Sequence, residues 1–176
     1  PLARSAGIEE EIDAPRTYLK AVLGDNFDTG KVEAFLTHAP DMVEFFETKT
    51  ALRFEPGNHI PDTYGDQPGA GTGGRSVIAA PYDGRELGPL IAKLRLPLRE
   101  TTFMGMTIQA GTDLKTFMTV TRSPRAFLYV ARRFGRHLLD LLIHGRGMQL
   151  RNGNALIARL MRSAVMASRR VTGSAM

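Results

Sequence analysis

Tyr64 is the residue best placed to do chemistry in this chain. It sits in Pro61-Asp-Thr-Tyr-Gly-Asp-Gln-Pro-Gly69, a run of turn-forming residues. A phenol on a loop shaped by Gly and Pro can donate to a ligand carbonyl or, as phenolate, take a proton. It can equally pack the loop onto the body. Arg75 and Arg85, in and just after the same stretch, have the donor geometry for an anion or carboxylate, with surface ion pairs as the alternative. His38, His59, His137 and His144 lack metal-ligand spacing, although His137 and His144 lie two helical turns apart. The chain has no Cys, which excludes disulfides, thiolate metal sites and a thiol nucleophile. It also lacks the G-x-S-x-G elbow of serine hydrolases.

Gly69-Ala-Gly-Thr-Gly-Gly74 has the letters of a dinucleotide-binding G-x-G-x-x-G. That fingerprint works where a strand leads into the turn and a helix leads out, so that pyrophosphate meets the helix N-terminus. Here Asp-Gln-Pro precedes the glycines and strand-like sequence follows them, so the motif is set aside.

The stretch Pro56–Gly88 that carries these residues holds eight of the 18 glycines and four of the 10 prolines. Each Gly or Pro would cost about 1 to 3 kcal/mol inside a helix, so this is a long, shaped loop. Helix-patterned sequence frames it. Asp13, Pro15 and Gly24 bracket a first helix, Asp28 caps a second, and Pro40 opens a third. Val32, Phe35, Met42 and Phe45 read as core. Strands are expected over residues 51–54, 75–80 and 102–109, with Met104, Met106 and Ile108 alternating along one face of the last. Residues 81–84 read as a turn, 85–95 as a short helix and 113–120 as another. Ser123-Pro124 starts the longest helix, with Phe127, Leu138, Leu141 and Leu142 inward and Arg125, Arg132, Arg133 and Arg136 solvated. Asn154 opens the last. Helices, then strands, then helices indicate an α+β fold with a small, mostly antiparallel sheet.

A length of 176 residues and an apolar fraction of 43% fit one domain with a real core. No apolar run is long enough to span a membrane, and the first fifteen residues lack the apolar stretch of a signal peptide. With the missing cysteines, this points to a cytoplasmic protein. Net charge is +5, unevenly spread: the first 66 residues are acidic and the rest basic. Such asymmetry suits an anion- or nucleic-acid-binding module, or one face of a larger protein. Trp is absent and no aromatic-basic strip is present, so nucleic acid is not the expected partner.

Several blocks carry a resemblance: Tyr18-Leu-Lys-Ala-Val-Leu-Gly-Asp, Ala39-Pro-Asp-Met-Val-Glu-Phe-Phe, Pro61-Asp-Thr-Tyr-Gly-Asp-Gln-Pro-Gly, Gly74-Arg-Ser, Pro81-Tyr-Asp-Gly-Arg-Glu-Leu-Gly and Gly153-Asn-Ala-Leu-Ile-Ala-Arg-Leu. In this order they resemble the cap (catalytic) domain of FAD-dependent dehydrogenases of the fumarate reductase/succinate dehydrogenase flavoprotein superfamily. The 3-ketosteroid dehydrogenase branch is the most similar. The resemblance implies a lead-in segment over 1–16, a cap domain over 17–167 and a flexible tail over 168–176. It also implies a fragment whose partner is the FAD-binding domain of the same parent protein, which holds most of the FAD. On this reading the substrate is apolar and steroid-like, Tyr64 handles a proton, and Met106, Ile108 and Arg75 contact substrate. Thr63 and Gly65 depart from the family block, which often has an aromatic and a Pro there. The fumarate reductase branch, acting on a dicarboxylate, is the enzyme alternative, though its His-Pro-Thr and Glu-Ala-x-Arg-Gly blocks are not found.

Overall fold

The computed structural model describes residues 7, 8, 10, 11 and 13–173, with side chains to 168. The expected loose N-terminus lies outside the described residues up to residue 6, as do the last three residues of the expected tail. The chain forms two compact units: residues 1–49 with 54–78, and residues 50–53 with 79–176.

The first unit contains α1 (Ala14–Leu23), a 3-10 turn (Gly24–Asn26) and α2 (Thr29–Lys49). Pro15 sits in the first turn of α1, where its missing N–H costs nothing. Gly24 ends the helix at a φ of 50°, which favours glycine. Asp28 caps α2 as expected, its carboxylate accepting the Lys31 N–H at 3.0 Å. Asp13, by contrast, makes no side-chain cap bond. Arg16 joins the two helices by a fork onto both oxygens of Glu33.

Pro40 does not open a third helix; it lies inside α2, which runs on to Lys49. An interior Pro removes one helical hydrogen bond at a cost of about 3 kcal/mol, and the turns on either side carry the helix through. The expected core of these helices is also corrected. Val32 is buried, but Phe35, Met42 and Phe45 are 62%, 46% and 55% exposed. The unit closes with β1 (Phe54–Pro56) paired to β2 (Val77–Ala79), whose last residue leads into the second unit. The first strand therefore begins three residues later than expected.

The second unit holds β3 (Tyr82–Asp83), a 3-10 segment (Gly84–Lys93), β4 (Thr102–Phe103), β5 (Met106–Thr107), α3 (Thr112–Met118), α4 (Pro124–His144), β6 (Gln149–Leu150) and α5 (Asn152–Gly173). Instead of a turn, residues 82–83 form a strand antiparallel to β6, pairing Tyr82 with Leu150. The expected helix after it is 3-10, broken at Gly88, where φ is 54°. The expected single strand over 102–109 is a hairpin: Thr102 faces Thr107 and Phe103 faces Met106. Met104 and Gly105 both have positive φ, 49° and 84°, the requirement of the tight turn that matches strand twist. Met104 thus sits in the turn and Met106 on the second arm, rather than along one face. The architecture is helix-rich α+β with three two-stranded ladders among the described residues, not one sheet.

The core of this unit is built from Leu52, Tyr82, Leu87, Met106, Met148, Leu150, Ala155 and Ala158. Arg159, on α5, ties irregular backbone to that core. Its guanidinium donates to the carbonyls of Ala51, Ala80 and Pro81 at 2.8 to 3.1 Å and stacks over Tyr82. Carbonyls that lack a strand partner are thereby satisfied.

α4 starts as expected, with the Ser123 hydroxyl accepting from the Ala126 N–H. Its buried face is different from the one expected: Ala126, Arg133, His137 and Asp140 point in. Leu138, Leu139, Leu142 and Ile143 are 43%, 57%, 82% and 71% exposed. Each residue turns a helix by about 100°, so a stripe set by Phe127 and Leu138 misses the one set by Ala126 and His137.

Candidate functional site

Tyr64 and Arg75 belong to the loop of the first unit, and that loop is built around Arg75. The Arg75 guanidinium reaches Asp62, Glu10 and the Gly69 carbonyl. Asp62 accepts the Gly71 N–H at 2.8 Å through its carboxylate, and its own N–H bonds back to the Gly71 carbonyl. The Arg75 side chain is only 15% exposed, so it faces inward and its donors are spent on the loop and on Glu10. Arg75 also lies over the Tyr18 ring, 5.6 Å from its centroid. The Tyr18 hydroxyl in turn accepts the Tyr64 N–H at 3.2 Å. Backbone around Tyr64 is therefore held while its side chain is 55% exposed. Gly73 cannot carry a side chain, since a Cβ would fall 2.0 Å from the Asn58 carbonyl oxygen.

Beside this loop, α1 and α2 leave a cavity of about 430 Å³ lined by Tyr18, Phe35, Met42, Val43, Arg75 and Val77 among others. Of the residues expected to be core, Phe35 and Met42 line this cavity instead.

Met106 and Ile108 belong to the second unit. Met106 is buried at 2% exposure and lines a cavity of about 470 Å³ together with Met104, His137 and Leu141. Ile108 does not line that cavity; its carbonyl accepts from the Asn152 amide at 3.0 Å. His137 is 1% exposed, and its Nε2 lies 3.1 Å from the Met104 carbonyl oxygen. A carbonyl only accepts, so Nε2 carries the proton there. His144 is exposed, so the two histidines do not share a site. Among the described residues no cluster of three or more His, Asp or Glu could hold a metal.

A buried ionic network went unread in the sequence. One nitrogen of Arg133 lies 2.7 Å from each oxygen of Asp113, and another donates to the Thr107 carbonyl. The Tyr129 hydroxyl and the Gln109 N–H also donate to Asp113. Burial opposes the Asp113 charge, but these donors, with Arg151 and Arg133, outweigh it and hold the carboxyl below its ordinary range. Burial first, then Asp113, push the Tyr129 phenol up. The solvated role expected for Arg133 is thus overturned. A second buried carboxylate, Asp140, takes Arg85 and the Met148 N–H. Arg133, His137 and Asp140 recur at helical spacing, and that polar stripe was the available signal.

The glycine run fails a physical test for dinucleotide binding. A pyrophosphate needs free N–H groups, but those of Ala70, Gly71 and Gly74 are committed to Gln67, Asp62 and Gly57. Strand β2 follows the run, not a helix. Gly69–Gly74 does not fit the cofactor.

Residues 1–173 match the family described as FAD binding domain, and the chain belongs to that family. FAD is therefore its family cofactor. The chain is 33% identical over 88% of its length to the 4-oxocyclohex-2-ene-1-carboxylate 5-dehydrogenase of Sinomonas cyclohexanicum, covering 26% of that relative. It is 30% identical over 69% of its length to the 3-oxosteroid 1-dehydrogenase of Mycolicibacterium smegmatis, covering 21% of it. Among solved structures it resembles the 3-ketosteroid delta1-dehydrogenase of Sterolibacterium denitrificans, in complex with 1,4-androstadiene-3,17-dione. The TM-score is 0.74 at 30% identity, over 90% of this chain and 29% of that one. The chain thus spans about a quarter of the length of the relatives it matches. No helix among the described residues is long and apolar enough to cross a membrane.

Proposed function

We propose that this chain is the substrate-facing cap segment of an FAD-dependent dehydrogenase that introduces a double bond beside a ring ketone. Two relatives are named for oxo-substituted six-membered rings, one small and one a steroid, and the ring ketone is what they share. Removing hydrogen from neighbouring carbons takes a hydride and a proton. FAD is the family's hydride acceptor, and the rest of the parent protein is the partner that holds it.

The observation that carries this reading is Tyr64: an exposed phenol on a loop whose backbone is held by Tyr18 and Arg75. A carbon next to a ketone is acidified by the carbonyl, and a positioned phenolate can take its proton. Arg75 contributes by fixing the loop, since its guanidinium is already engaged.

The test is anaerobic mixing of the flavin-loaded parent protein with a 3-oxosteroid saturated at C1–C2 and with a 4-oxocyclohexene. Bleaching of the flavin by either ketone supports the proposal. An unchanged flavin spectrum with both, in protein shown to hold FAD, overturns it.

A further inference from the structure

Helix α4 is turned inside out. A surface helix normally buries an apolar stripe and shows water its polar side. α4 buries Ala126, Arg133, His137 and Asp140 instead. At about 100° per residue, Leu128, Ala131, Leu138, Leu139 and Leu142 fall together on the opposite side. All five are exposed, Leu128 by 68% and Leu142 by 82%.

This apolar strip has two different borders. On one, Phe134 meets Phe103 of the β4–β5 hairpin with ring centroids 5.8 Å apart. Phe103 and the turn residue Met104 are themselves exposed, so the hairpin widens the apolar surface. On the other border, Arg125, Arg132 and Arg136 fall within about 40° of one another. Arg136 lies 3.3 Å from Asp83, whereas Arg125 and Arg132 have no ion pair among the described residues. Residues 88–146 carry ten Lys and Arg against three Asp and Glu. Two of those acids, Asp113 and Asp140, are buried against Arg133 and Arg85. Glu100 alone of the three faces solvent.

Such a surface is complementary to an apolar layer edged with negative charge. A second copy of the chain fits poorly, because it would bring the same surplus of cations to the contact. A bilayer containing anionic lipid supplies both parts: acyl chains for the leucines and phosphates for the arginines. α4 is not apolar enough to cross a membrane, so it would lie in the plane of the surface. We propose that the outer face of α4, together with the hairpin tip, docks on an anionic membrane surface, the leucines entering the headgroup boundary and Arg125 and Arg132 meeting lipid phosphates. This face lies within the second unit and stands independently of the dehydrogenase reading.

The test is co-sedimentation of the flavin-loaded parent protein with vesicles of phosphatidylcholine mixed with phosphatidylglycerol, and of phosphatidylcholine alone. The mixed vesicles should carry the protein down, the neutral ones at least tenfold less, and added salt should weaken the binding. Leu142→Gln removes an exposed apolar side chain and should lower the affinity by about tenfold. Arg125→Gln combined with Arg132→Gln should lower it by about tenfold or more, at about fivefold for each arginine at the surface, and reduce the salt dependence. Failure of the parent protein to bind the mixed vesicles gives the face to the rest of the parent chain and overturns the proposal. Binding that survives in both variants places the membrane contact elsewhere and overturns it too. A dimer that Leu142→Gln converts to a monomer, in sedimentation equilibrium without lipid, assigns the face to a second copy and overturns it as well.

Discussion

One guanidinium nitrogen of Arg133 sits 2.7 Å from both oxygens of Asp113, and both side chains are almost fully buried, at 7% and 6% exposure. This pair joins α3 to α4 and, through the Thr107 carbonyl, to the hairpin that carries Met106. Asp113→Asn would leave the Arg133 charge buried without its anion. Losing one partner of a buried pair costs about 3 to 5 kcal/mol. Urea unfolding monitored by near-UV dichroism should show that loss, whereas Asp66→Asn, on the exposed loop, should fall within about 0.5 kcal/mol of the parent.

The same carboxylate sets an acid limit. Its folded pKa lies below the unfolded value, so its contribution is complete above the unfolded value near pH ~3.9. That contribution fades as pH falls through the lower folded pKa. The unfolding midpoint should therefore fall as pH drops below about 4, and Asp113→Asn should flatten the acid limb. A limb of unchanged steepness in that variant would assign acid sensitivity to other carboxylates.

Tyr64→Phe removes one hydroxyl from an exposed position and leaves the Tyr18 bond to the backbone N–H in place. In the parent protein, turnover with a ring ketone should fall by about 10² to 10⁴-fold, the usual worth of a positioned acid–base group. Flavin content, read from the absorbance ratio of the purified protein, should not change. Turnover within about twofold of the parent would leave Tyr64 a packing residue.

Gly73→Ala tests how tightly the loop is shaped. The added Cβ would meet the Asn58 carbonyl oxygen at 2.0 Å, so backbone must move. Hydrogen exchange of the Gly71 and Gly74 amides, bonded to Asp62 and Gly57 in the native loop, should accelerate by tenfold or more, about 1.4 kcal/mol of local opening. Gly65→Ala, where a Cβ meets only one atom at 3.9 Å, should leave those amides protected.

Three helix ends were legible because they depend on local chemistry. Asp28, Ser123-Pro124 and Gly24 each mark a helix boundary through a cap or a backbone preference that acts within a few residues. The glycine run could be rejected as a phosphate cradle for a similar reason, since the order of strand and loop is written along the chain. What escaped were pairings over long separations. The hairpin at Met104-Gly105 was hidden because its turn uses a methionine at positive φ, where Asn or Gly would have announced it.

The sequence by itself determined the helix-rich frame, the Gly/Pro loop that presents Tyr64, and the family resemblance. All three are carried by residue types in order. Only the tertiary structure decided which charges go inside. Arg133 and Arg132 are adjacent and chemically identical, yet one is buried against Asp113 and the other exposed. Arg75 looked free to take a ligand until Asp62, Glu10 and Gly69 were found around it. A charge enters a protein interior where a partner waits, and which partner waits is settled by packing between segments far apart in the chain.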